Sequence, residues 1–405
     1  MAPSNNKPSN NWLAVKECVT SSLEKYVLKK IHLISFDVPY PANYGGIIVV
    51  YYYIKALHAA GVKVILHCFL YDGKKAQPHL ETLCEEVHYY ERKKSLWSAL
   101  SNLPFIVNSR KPEALLKRLQ QDEYPIFFEG VHTTAWINHV SLRDRKKVVR
   151  MHNVEWKYYA SLHALSKNKS KKIYFQIESQ RLKKYDQLVA EHADILFTIS
   201  PKDQAYYSGM HTQSYYLPAF HANETLSSKT GNGDYFLFHG KLSVEDNKQA
   251  AMYLMDSVFA GLQEQLIIAG LEPDEELLEA TKKYSNVLME SNVTEERMGQ
   301  LLDNAQGNIL YTSQDNGLKL KLLYALYRGR HCIVNPLMVS NTTDLAALCS
   351  VCEGAAMMIK EVKRLSNQPF TEEDKARRAQ ILDKGYDNAR NALYSVEIME
   401  KCGFN

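Results

Sequence analysis

Two lysines occupy an unusual place in the segment Gln314–Asn335. Lys319 and Lys321 fall in the first turn of a predicted helix that is apolar on nearly every face, which predicts that the helix is buried. A cation in the first turn costs roughly 0.3–1 kcal/mol because it repels the positive end of the helix dipole. Backbone N–H groups at that end bind anions, and a bound anion would remove the repulsion. The segment therefore indicates either an anion site or two ordinary solvated lysines.

Two adjacent glycines, Gly45 and Gly46, form a second candidate feature. They lie with Tyr44 between the first predicted strand, Ile31–Asp37, and a predicted helix, Ile47–Ala60. Glycine lets the backbone approach a ligand closely and leaves N–H groups open at a helix start. The spacing is not that of the G-x-G-x-x-G dinucleotide fingerprint. The pair predicts either a phosphate contact or a plain tight turn.

A histidine, an amide and an acid follow another predicted strand. His152, Asn153 and Glu155 come after the strand Lys147–Met151, at its carboxyl end, where ligands bind in parallel sheets. The alternative is structural, with Asn153 as a helix N-cap and His152 as a satisfied buried residue.

A glycine and a lysine follow the predicted strand Tyr235–His239. Gly240 and Lys241 suit a diphosphate, because lysine is a point charge that needs no fixed fork geometry. Asn247 lies in the first turn of the helix predicted after them, Glu245–Phe259. A surface loop is the alternative reading of this segment.

Strand and helix patterns alternate along most of the chain, which predicts parallel sheets. The helix Leu318–Arg328 is expected to end with Gly329 as its C′ residue. The remaining predicted strands are Val62–Phe69, Glu86–Tyr90, Ile126–Phe128, Asp194–Ser200, Gln265–Ala269, Val287–Met289, Ile309–Thr312 and Cys332–Asn335.

The polar, Gly- and Ser-rich segment Pro218–Gly233 is the best domain boundary. The sequence therefore predicts an α/β protein with two Rossmann-like, doubly wound parallel-sheet domains that face a cleft. Its predicted parts are an N-terminal extension with a short helix (1–30), a first domain (31–218), a linker (219–233), a second domain (234–385) and a C-terminal helix (386–405).

Composition excludes several classes of protein. A length of 405 residues is too great for one core, and 45% hydrophobic with 23% charged residues is ordinary for a globular chain. A net charge of +4 gives no reason to expect nucleic acid as a partner. The basic runs 143–147 and 167–172 predict either contact with anionic lipid or solvated faces. Seven cysteines without framework spacing, no membrane-length apolar run and no signal-peptide core favour the cytoplasm, with the inner face of the membrane as a further location.

These motifs together resemble the GT-B-fold retaining glycosyltransferases of family 4, in particular a bacterial branch that builds cell-surface polysaccharide. The resemblance runs from about Ile31 to the C-terminus, and the order and spacing of the motifs carry it. They are Pro39-Tyr40-Pro41-x-x-x-Gly45-Gly46, Arg150-x-His152-Asn153-x-Glu155, Ala193-Asp194-x-x-x-x-Ile199-Ser200, Leu217-Pro218-x-Phe220-His221, His239-Gly240-Lys241-Leu242-Ser243, Gly317-Leu318-Lys319-x-Lys321-Leu322-Leu323 and Gly329-Arg330.

The resemblance implies an acceptor domain, a nucleotide-sugar domain, a last helix that returns to the first domain, and no need for a metal or cofactor. It implies His152 near the reacting carbon of the sugar and Lys241 where the family has an arginine on the diphosphate. The lysine that follows in the family falls at Asn247 or Lys248. Implied donor-binding residues are Gly45, Gly46, Gly240, Lys241, Asn247, Asn316, Gly317, Leu318, Lys319, Lys321 and Tyr324, and implied acceptor-side residues are Tyr44, Asn153 and Glu155.

One departure from the family pattern concerns two glutamates. The family carries them eight positions apart, and they would fall near Asn316 and Tyr324, neither of which is acidic. The second glutamate holds the ribose hydroxyls in the family. The expected partners are a nucleotide sugar and a saccharide or lipid-linked saccharide acceptor. The alternatives are a non-catalytic GT-B scaffold that binds a partner or glycan, and a GT-B nucleotide-sugar epimerase.

Overall fold

A computed structural model of the chain describes residues 28–71, 73–93, 101–314 and 319–404. The described residues form two sheets whose strands are all parallel, in the orders β3-β2-β1-β4-β5-β6-β7 and β10-β9-β8-β11-β12-β13. The strands are β1 (Lys30–Ile34), β2 (Lys63–Leu70), β3 (Glu86–Glu91), β4 (Ile126–Glu129), β5 (Lys147–Met151), β6 (Ile195–Thr198), β7 (Ser214–Tyr216), β8 (Phe236–Lys241), β9 (Leu266–Leu271), β10 (Val287–Ser291), β11 (Gly307–Leu310), β12 (His331–Val334) and β13 (Ser350–Val351).

Helices connect the strands and cover both faces of each sheet. A π-helical turn, Leu254–Phe259, continues the seventh helix. The α-helices are α1 (Gly45–Ala59), α2 (Phe105–Asn108), α3 (Glu113–Leu119), α4 (Glu155–Leu165), α5 (Lys169–His192), α6 (Pro201–Ser208), α7 (Glu245–Tyr253), α8 (Glu275–Thr281), α9 (Glu295–Asn304), α10 (Leu320–Arg328), α11 (Pro336–Val339), α12 (Thr343–Ala346), α13 (Ala355–Leu365), α14 (Glu372–Gly385) and α15 (Asn388–Lys401).

The prediction of two doubly wound α/β domains is confirmed. The apolar strands form because each sheet is buried on both faces. In β1, Leu33 packs into the core on one face and Ile34 into the core on the other. Each predicted strand overlaps an observed one, with ends that differ by up to three residues. Strands β7 and β13 were missed because three and two residues are too short to show a period.

The last helix of the chain packs against the first sheet. Ala392, Val396 and Met399 of α15 lie in the same hydrophobic cluster as Leu33 of β1. The hydroxyls of Tyr53 in α1 and Ser395 in α15 lie 3.1 Å apart. The chain therefore leaves the second sheet and returns to the first one.

The segment 219–233 begins inside the protein and not as an exposed linker. Phe220 is fully buried, and its ring centroid lies 4.7 Å from that of Tyr53. His221 is buried as well, and its Nε2 lies 2.8 Å from the carbonyl oxygen of Tyr386. The segment that leads from the first sheet to the second therefore contacts the segment that leads back to the first.

Two local expectations were wrong. Gly329 follows α10 with φ −78° and ψ 169°, outside the left-handed region that a C′ glycine adopts. Its glycine identity instead serves packing, because a Cβ there would lie 2.0 Å from Nδ2 of Asn308. In the basic run 143–147, Arg145 and Lys147 are buried and donate to backbone carbonyls, for example Lys147 Nζ to the Leu142 oxygen at 2.8 Å.

Some predictions lie outside the described residues. They are the disordered N-terminus, most of the helix before the first strand, and the positions Asn316, Gly317 and Leu318. Within the described part of the chain, no helix is both long and apolar enough to span a membrane.

We expect Met399→Ala to lower the free energy of unfolding of the first domain by about 2–5 kcal/mol, the range for emptying a buried methionine site. Met399 is 1% exposed, within the core shared by α15 and the first sheet. Met357→Ala is the matched control, because Met357 is 50% exposed and its loss should cost no more than about 0.5 kcal/mol. Urea unfolding measures both. Equal effects of the two substitutions would contradict the packing of α15.

Candidate functional site

A cavity of about 970 Å³ lies between the carboxyl ends of the two sheets. This is where open parallel sheets bind ligands. The first domain lines it with the start of α1 and the loop after β5. The second domain lines it with the loop after β8 and the starts of α9 and α10.

The starts of α1 and α10 face each other across this cavity. A Cβ on Gly45 would lie 3.9 Å from Cδ1 of Leu320, the first residue of α10. Leu320 also packs against Val49 of α1. Neither helix has a side-chain hydrogen bond at its N-cap. Two positive helix ends with open N–H groups therefore meet at one place, which favours an anion.

The loop before α1 is held by Asp37, which follows β1. The buried Asp37 carboxylate accepts hydrogen bonds from the hydroxyls of Tyr44, at 2.6 Å, and Tyr71, at 3.1 Å, and it pairs with Lys74. Gly46 is needed beside this loop, because a Cβ there would lie 2.8 Å from the ring of Phe36. The Phe36 ring therefore leaves no room for a side chain at position 46, where the backbone lines the cavity.

His152 is fixed by a buried carboxylate at the end of β4. Its Nε2 lies 2.9 Å from Oε2 of Glu129, and its ring stands edge-on to that of Phe36. Arg150 donates to the same carboxylate from Nε at 3.0 Å. Burial by itself raises the pKa of Glu129, but the Arg150 charge and the His152 hydrogen bond outweigh it, so the pKa lies below its ordinary value.

Arg150 is fully buried, and aromatic rings surround its guanidinium. Its central carbon lies 4.2 Å from the ring centroid of Tyr53 and 5.3 Å from that of Phe220. These contacts replace part of the lost hydration of the charge. The orientation of His152 at the cavity wall therefore depends on a salt bridge in the core.

Lys321 is the most perturbed cation at the cavity. Burial lowers the pKa of its ammonium to about 8, against the opposing attraction of Asp246. Its Nζ donates to Oδ1 of Asn247 at 3.0 Å and lies over the ring of Phe238. Asn247 in turn donates to the Lys241 carbonyl at 3.0 Å. A partly desolvated cation of this kind gains strongly from a bound anion.

His239, the fourth residue of β8, lines the cavity beside Lys321. It is 4% exposed, and its Nε2 has no hydrogen-bond partner among the described residues. Burial, followed by the charge of Lys321, lowers its pKa to about 3, so it is neutral at physiological pH. A buried polar atom without a partner that lines a cavity is a site for a ligand's hydrogen bond.

Lys241 and Lys319 lie further out. Lys241 is about half-exposed, and its Nζ lies 3.0 Å from Oε2 of Glu272. Lys319 is the N-cap residue of α10, and Lys321 is the second residue of its first turn. The predicted position of both lysines at this helix start is therefore the observed one.

The cavity wall near α10 carries tyrosines and one carboxylate. Tyr324, at the predicted place of the family's second glutamate, lines the cavity together with Tyr52 and Glu295. Burial raises the pKa of both tyrosines, for Tyr52 to about 12, and the negative charge of Glu295 adds to each shift. Glu295 lines the same cavity as both tyrosines, although it belongs to α9 and not to α10.

Most of the predicted site residues line this cavity. They are Tyr44, Gly45, Gly46, His152, Asn153, Gly240, Lys241, Asn247, Lys319, Lys321 and Tyr324. Glu155 is not among them and is 6% exposed. Lys248, the alternative to Asn247, pairs with Asp274 and Glu276 and does not line the cavity.

Sequence reasoning did not single out Asp37, Glu129 or Glu295 as site residues. Asp37 and Glu129 are acids at or just after the carboxyl end of a buried strand, and that signal could have found them. Glu295 stands in a first helical turn, where acids are common for dipole reasons alone. Among the described residues, no group of three or more His, Cys, Asp or Glu side chains is placed to hold a metal ion.

The amino-acid sequence is similar to one bacterial protein. It is 24% identical over 351 residues to an uncharacterized 44.6 kDa protein in the cps region of Klebsiella pneumoniae, across 85% of this chain and 82% of that protein. No family profile matches the chain.

Solved structures show the same fold at low identity. HepE of Anabaena, in complex with UDP and glucose, gives a TM-score of 0.63 at 10% identity, across 92% of this chain and all of that one. HepE also appears in complex with UDP-glucose. AviGT4, a glycosyltransferase of avilamycin A biosynthesis, gives 0.54 at 15% identity, across 93% of this chain and 99% of that one. The protein therefore has the GT-B fold, in which two Rossmann-like domains face a cleft.

We expect Glu155→Gln to stabilise the protein increasingly as pH rises. Burial, with the Asp203 charge adding to it, raises the pKa of Glu155 to about 7. A raised folded-state pKa means that the fold prefers the protonated acid, so its contribution is full below about pH 4.5 and is lost as pH rises through 7. The glutamine variant avoids this loss, which is roughly 3 kcal/mol for a shift of this size.

Urea unfolding of wild type and variant at about pH 5 and about pH 8 measures this gain. The exposed Glu353→Gln is the control and should behave as wild type at both pH values. A Glu155→Gln effect that does not change with pH would show that Glu155 is charged in the fold.

Proposed function

We propose that the protein is a retaining glycosyltransferase that moves a sugar from a nucleotide-diphospho sugar to a saccharide or lipid-linked saccharide. The observation that carries the proposal is the convergence of two uncapped helix N-termini, the Lys321 ammonium and the unpartnered His239 on one cleft cavity. The HepE complexes with UDP and UDP-glucose favour a UDP-sugar as the first donor to test. The relative encoded in a cps region favours polysaccharide synthesis at the cytoplasmic face of the membrane.

The diphosphate would lie between the starts of α1 and α10. As the bond from the anomeric carbon to the phosphate oxygen breaks, negative charge develops on the diphosphate. Lys321, Lys319, Lys241 and the amides of Gly45 and Gly46 are placed to stabilise that charge. Such preorganised groups act strongly because the closed cleft excludes water.

Lys321 takes the role that the family gives to a lysine at the position of Asn247. Its ammonium donates to the Asn247 side chain, so it lies next to where that lysine's head group would be. The positive charge thus comes from Lys321 of α10, and Asn247 of α7 accepts a hydrogen bond from its ammonium.

Retention requires either an enzymic nucleophile or attack from the face that the leaving group occupies. Glu129 is the carboxylate that His152 contacts, and it is fully buried and engaged by both Arg150 and His152. It is therefore unsuited to attack the sugar. Front-face attack remains, in which the acceptor hydroxyl bonds to the anomeric carbon and its proton passes to the departing phosphate. His152, oriented by Glu129, would position the sugar.

Glu295 supplies the carboxylate that α10 lacks. It lines the cavity together with Tyr324, the position at which the family pattern has a glutamate for the ribose diol. A carboxylate can accept hydrogen bonds from both hydroxyls of a ribose. We assign this role to Glu295, which would answer the sequence-based argument for a non-catalytic scaffold.

We expect calorimetry to detect UDP and UDP-sugar binding that weakens from about pH 7 to about pH 9, as Lys321 loses its proton around pH 8. Lys321→Met should remove this pH dependence and lower kcat/KM for donor hydrolysis or transfer by about 10²–10³-fold. Lys321→Arg should bind without pH dependence, because arginine stays protonated.

The control is Lys282→Met, because Lys282 is exposed and does not line the cavity. Titration with UDP-, GDP- and dTDP-sugars tests the function itself, and a folded protein that binds none of them would contradict the proposal. Full activity in both Lys321→Met and Lys241→Ala would contradict the phosphate assignment.

We expect Glu295→Gln to weaken UDP binding by about 10–100-fold, which corresponds to one charge-assisted hydrogen bond pair. The sharper readout is the ratio of UDP to 2′,3′-dideoxy-UDP affinity, which should be large in wild type and close to one in the variant. Glu296→Gln, a neighbouring exposed acid, should leave the ratio unchanged. An undiminished ratio in Glu295→Gln would assign the diol to another group.

A further inference from the structure

The α4–α5 hairpin carries an exposed apolar strip. Leu165, Ile173, Tyr174 and Ile177 are 63%, 59%, 40% and 45% exposed. Ile173 and Ile177 are one helical turn apart and share a face. Helix α5 packs into the core through a different face, which contains Leu182 and the other buried residues on the same side of the helix. The strip is therefore an outer surface of the first domain and not an incomplete core.

Lysines surround this strip without acidic neighbours in sequence. Residues 156–177 contain five lysines and no aspartate or glutamate. Four exposed lysines lie in the turn of the hairpin and in the first residues of α5, namely Lys167, Lys169, Lys171 and Lys172. None of the described ion pairs involves them. The surface is thus both apolar and strongly positive.

The other basic run of the first domain behaves differently. Arg145 and Lys147 of run 143–147 are buried and bind backbone carbonyls, so they serve the fold. Among the described residues, no hydrogen bond or ion pair to the ammonium groups of the lysines of 167–172 is found. Their charge is presented outward beside the apolar strip.

We propose that the α4–α5 hairpin is the docking surface for a bilayer rich in anionic lipid. Lysines of such a surface bind the phosphate head groups, while isoleucine, leucine and tyrosine side chains enter the interfacial region. Charge complementarity argues for this occupant over a second copy of the chain, whose matching hairpin would carry the same positive charge.

The hairpin lies close to the first-domain wall of the cavity, so contact between the hairpin and a membrane would have a functional consequence. Helix α4 begins two residues after Asn153, which lines the cavity. Its 11 residues span ~16 Å, so the turn of the hairpin lies within about that distance of the first-domain wall. A membrane held there would present a lipid-linked acceptor to the acceptor side of the cleft. The choice of a lipid-linked acceptor rests on the proposed function, whereas binding of the hairpin to the membrane does not require that sugar transfer occurs.

Vesicle co-sedimentation of the full chain tests the docking surface. Vesicles of phosphatidylcholine alone should bind little protein, and vesicles that include phosphatidylglycerol should bind it in a salt-sensitive way. Two variants separate the contributions: Ile173→Ser with Ile177→Ser, and Lys169→Gln with Lys171→Gln and Lys172→Gln. Each should lower the partition coefficient to anionic vesicles about tenfold or more.

The matched controls lie in the second domain. Leu288→Ser replaces an exposed leucine (47% exposed), and Lys282→Gln with Lys283→Gln replaces exposed lysines. All variants should keep the wild-type UDP affinity and thermal midpoint, which separates failure of docking from failure of the proposed activity. Equal binding to neutral vesicles, or wild-type binding by both hairpin variants, would overturn the proposal. So would a wild-type dimer in sedimentation velocity that the hairpin substitutions dissociate.

Discussion

The electrostatics of the site depend on two helix N-termini, those of α1 and α10, that lie close together at the cleft. A Cβ on Gly45 of α1 would lie 3.9 Å from Cδ1 of Leu320 in α10, and neither helix has a side-chain hydrogen bond at its N-cap. Two positive ends at such a short distance repel each other unless an anion lies between them. Lys321 lies at the start of α10 as well, where burial lowers the pKa of its ammonium to about 8.

Buried charges hold the walls of the cavity in place. On the first-domain side, the Arg150–Glu129 pair orients His152, and Asp37 holds Tyr44 next to the glycines. On the second-domain side, Asp246 receives hydrogen bonds from Thr312 and Ser313, which ties the start of α7 to the end of β11. Each carboxylate accepts more than one hydrogen bond, so its burial is compensated and the wall is rigid.

Two charged groups that line the cavity come from helices other than those on which the sequence motifs led us to expect them. Relative to the family pattern, a cation is missing at Asn247 and an acid at Tyr324. The structure has Lys321 of α10 beside Asn247, and Glu295 of α9 in the lining of the same cavity as Tyr324. Neighbouring helices after parallel strands start at the same edge, so a charge can move between them and still reach the same volume.

The sequence by itself determined the fold class, because alternation of buried strands with helices has one common solution, the parallel sheet with helices on both faces. It also determined which strand ends carry polar groups, so most of the predicted residues line the cavity. Only the tertiary structure decided the rest. The partners of Glu129 and Asp37 are distant in sequence, the buried state of Arg145 follows from contacts with loop carbonyls, and Gly329 is set by packing against Asn308. Such pairings depend on the distances between whole elements, which no local pattern contains.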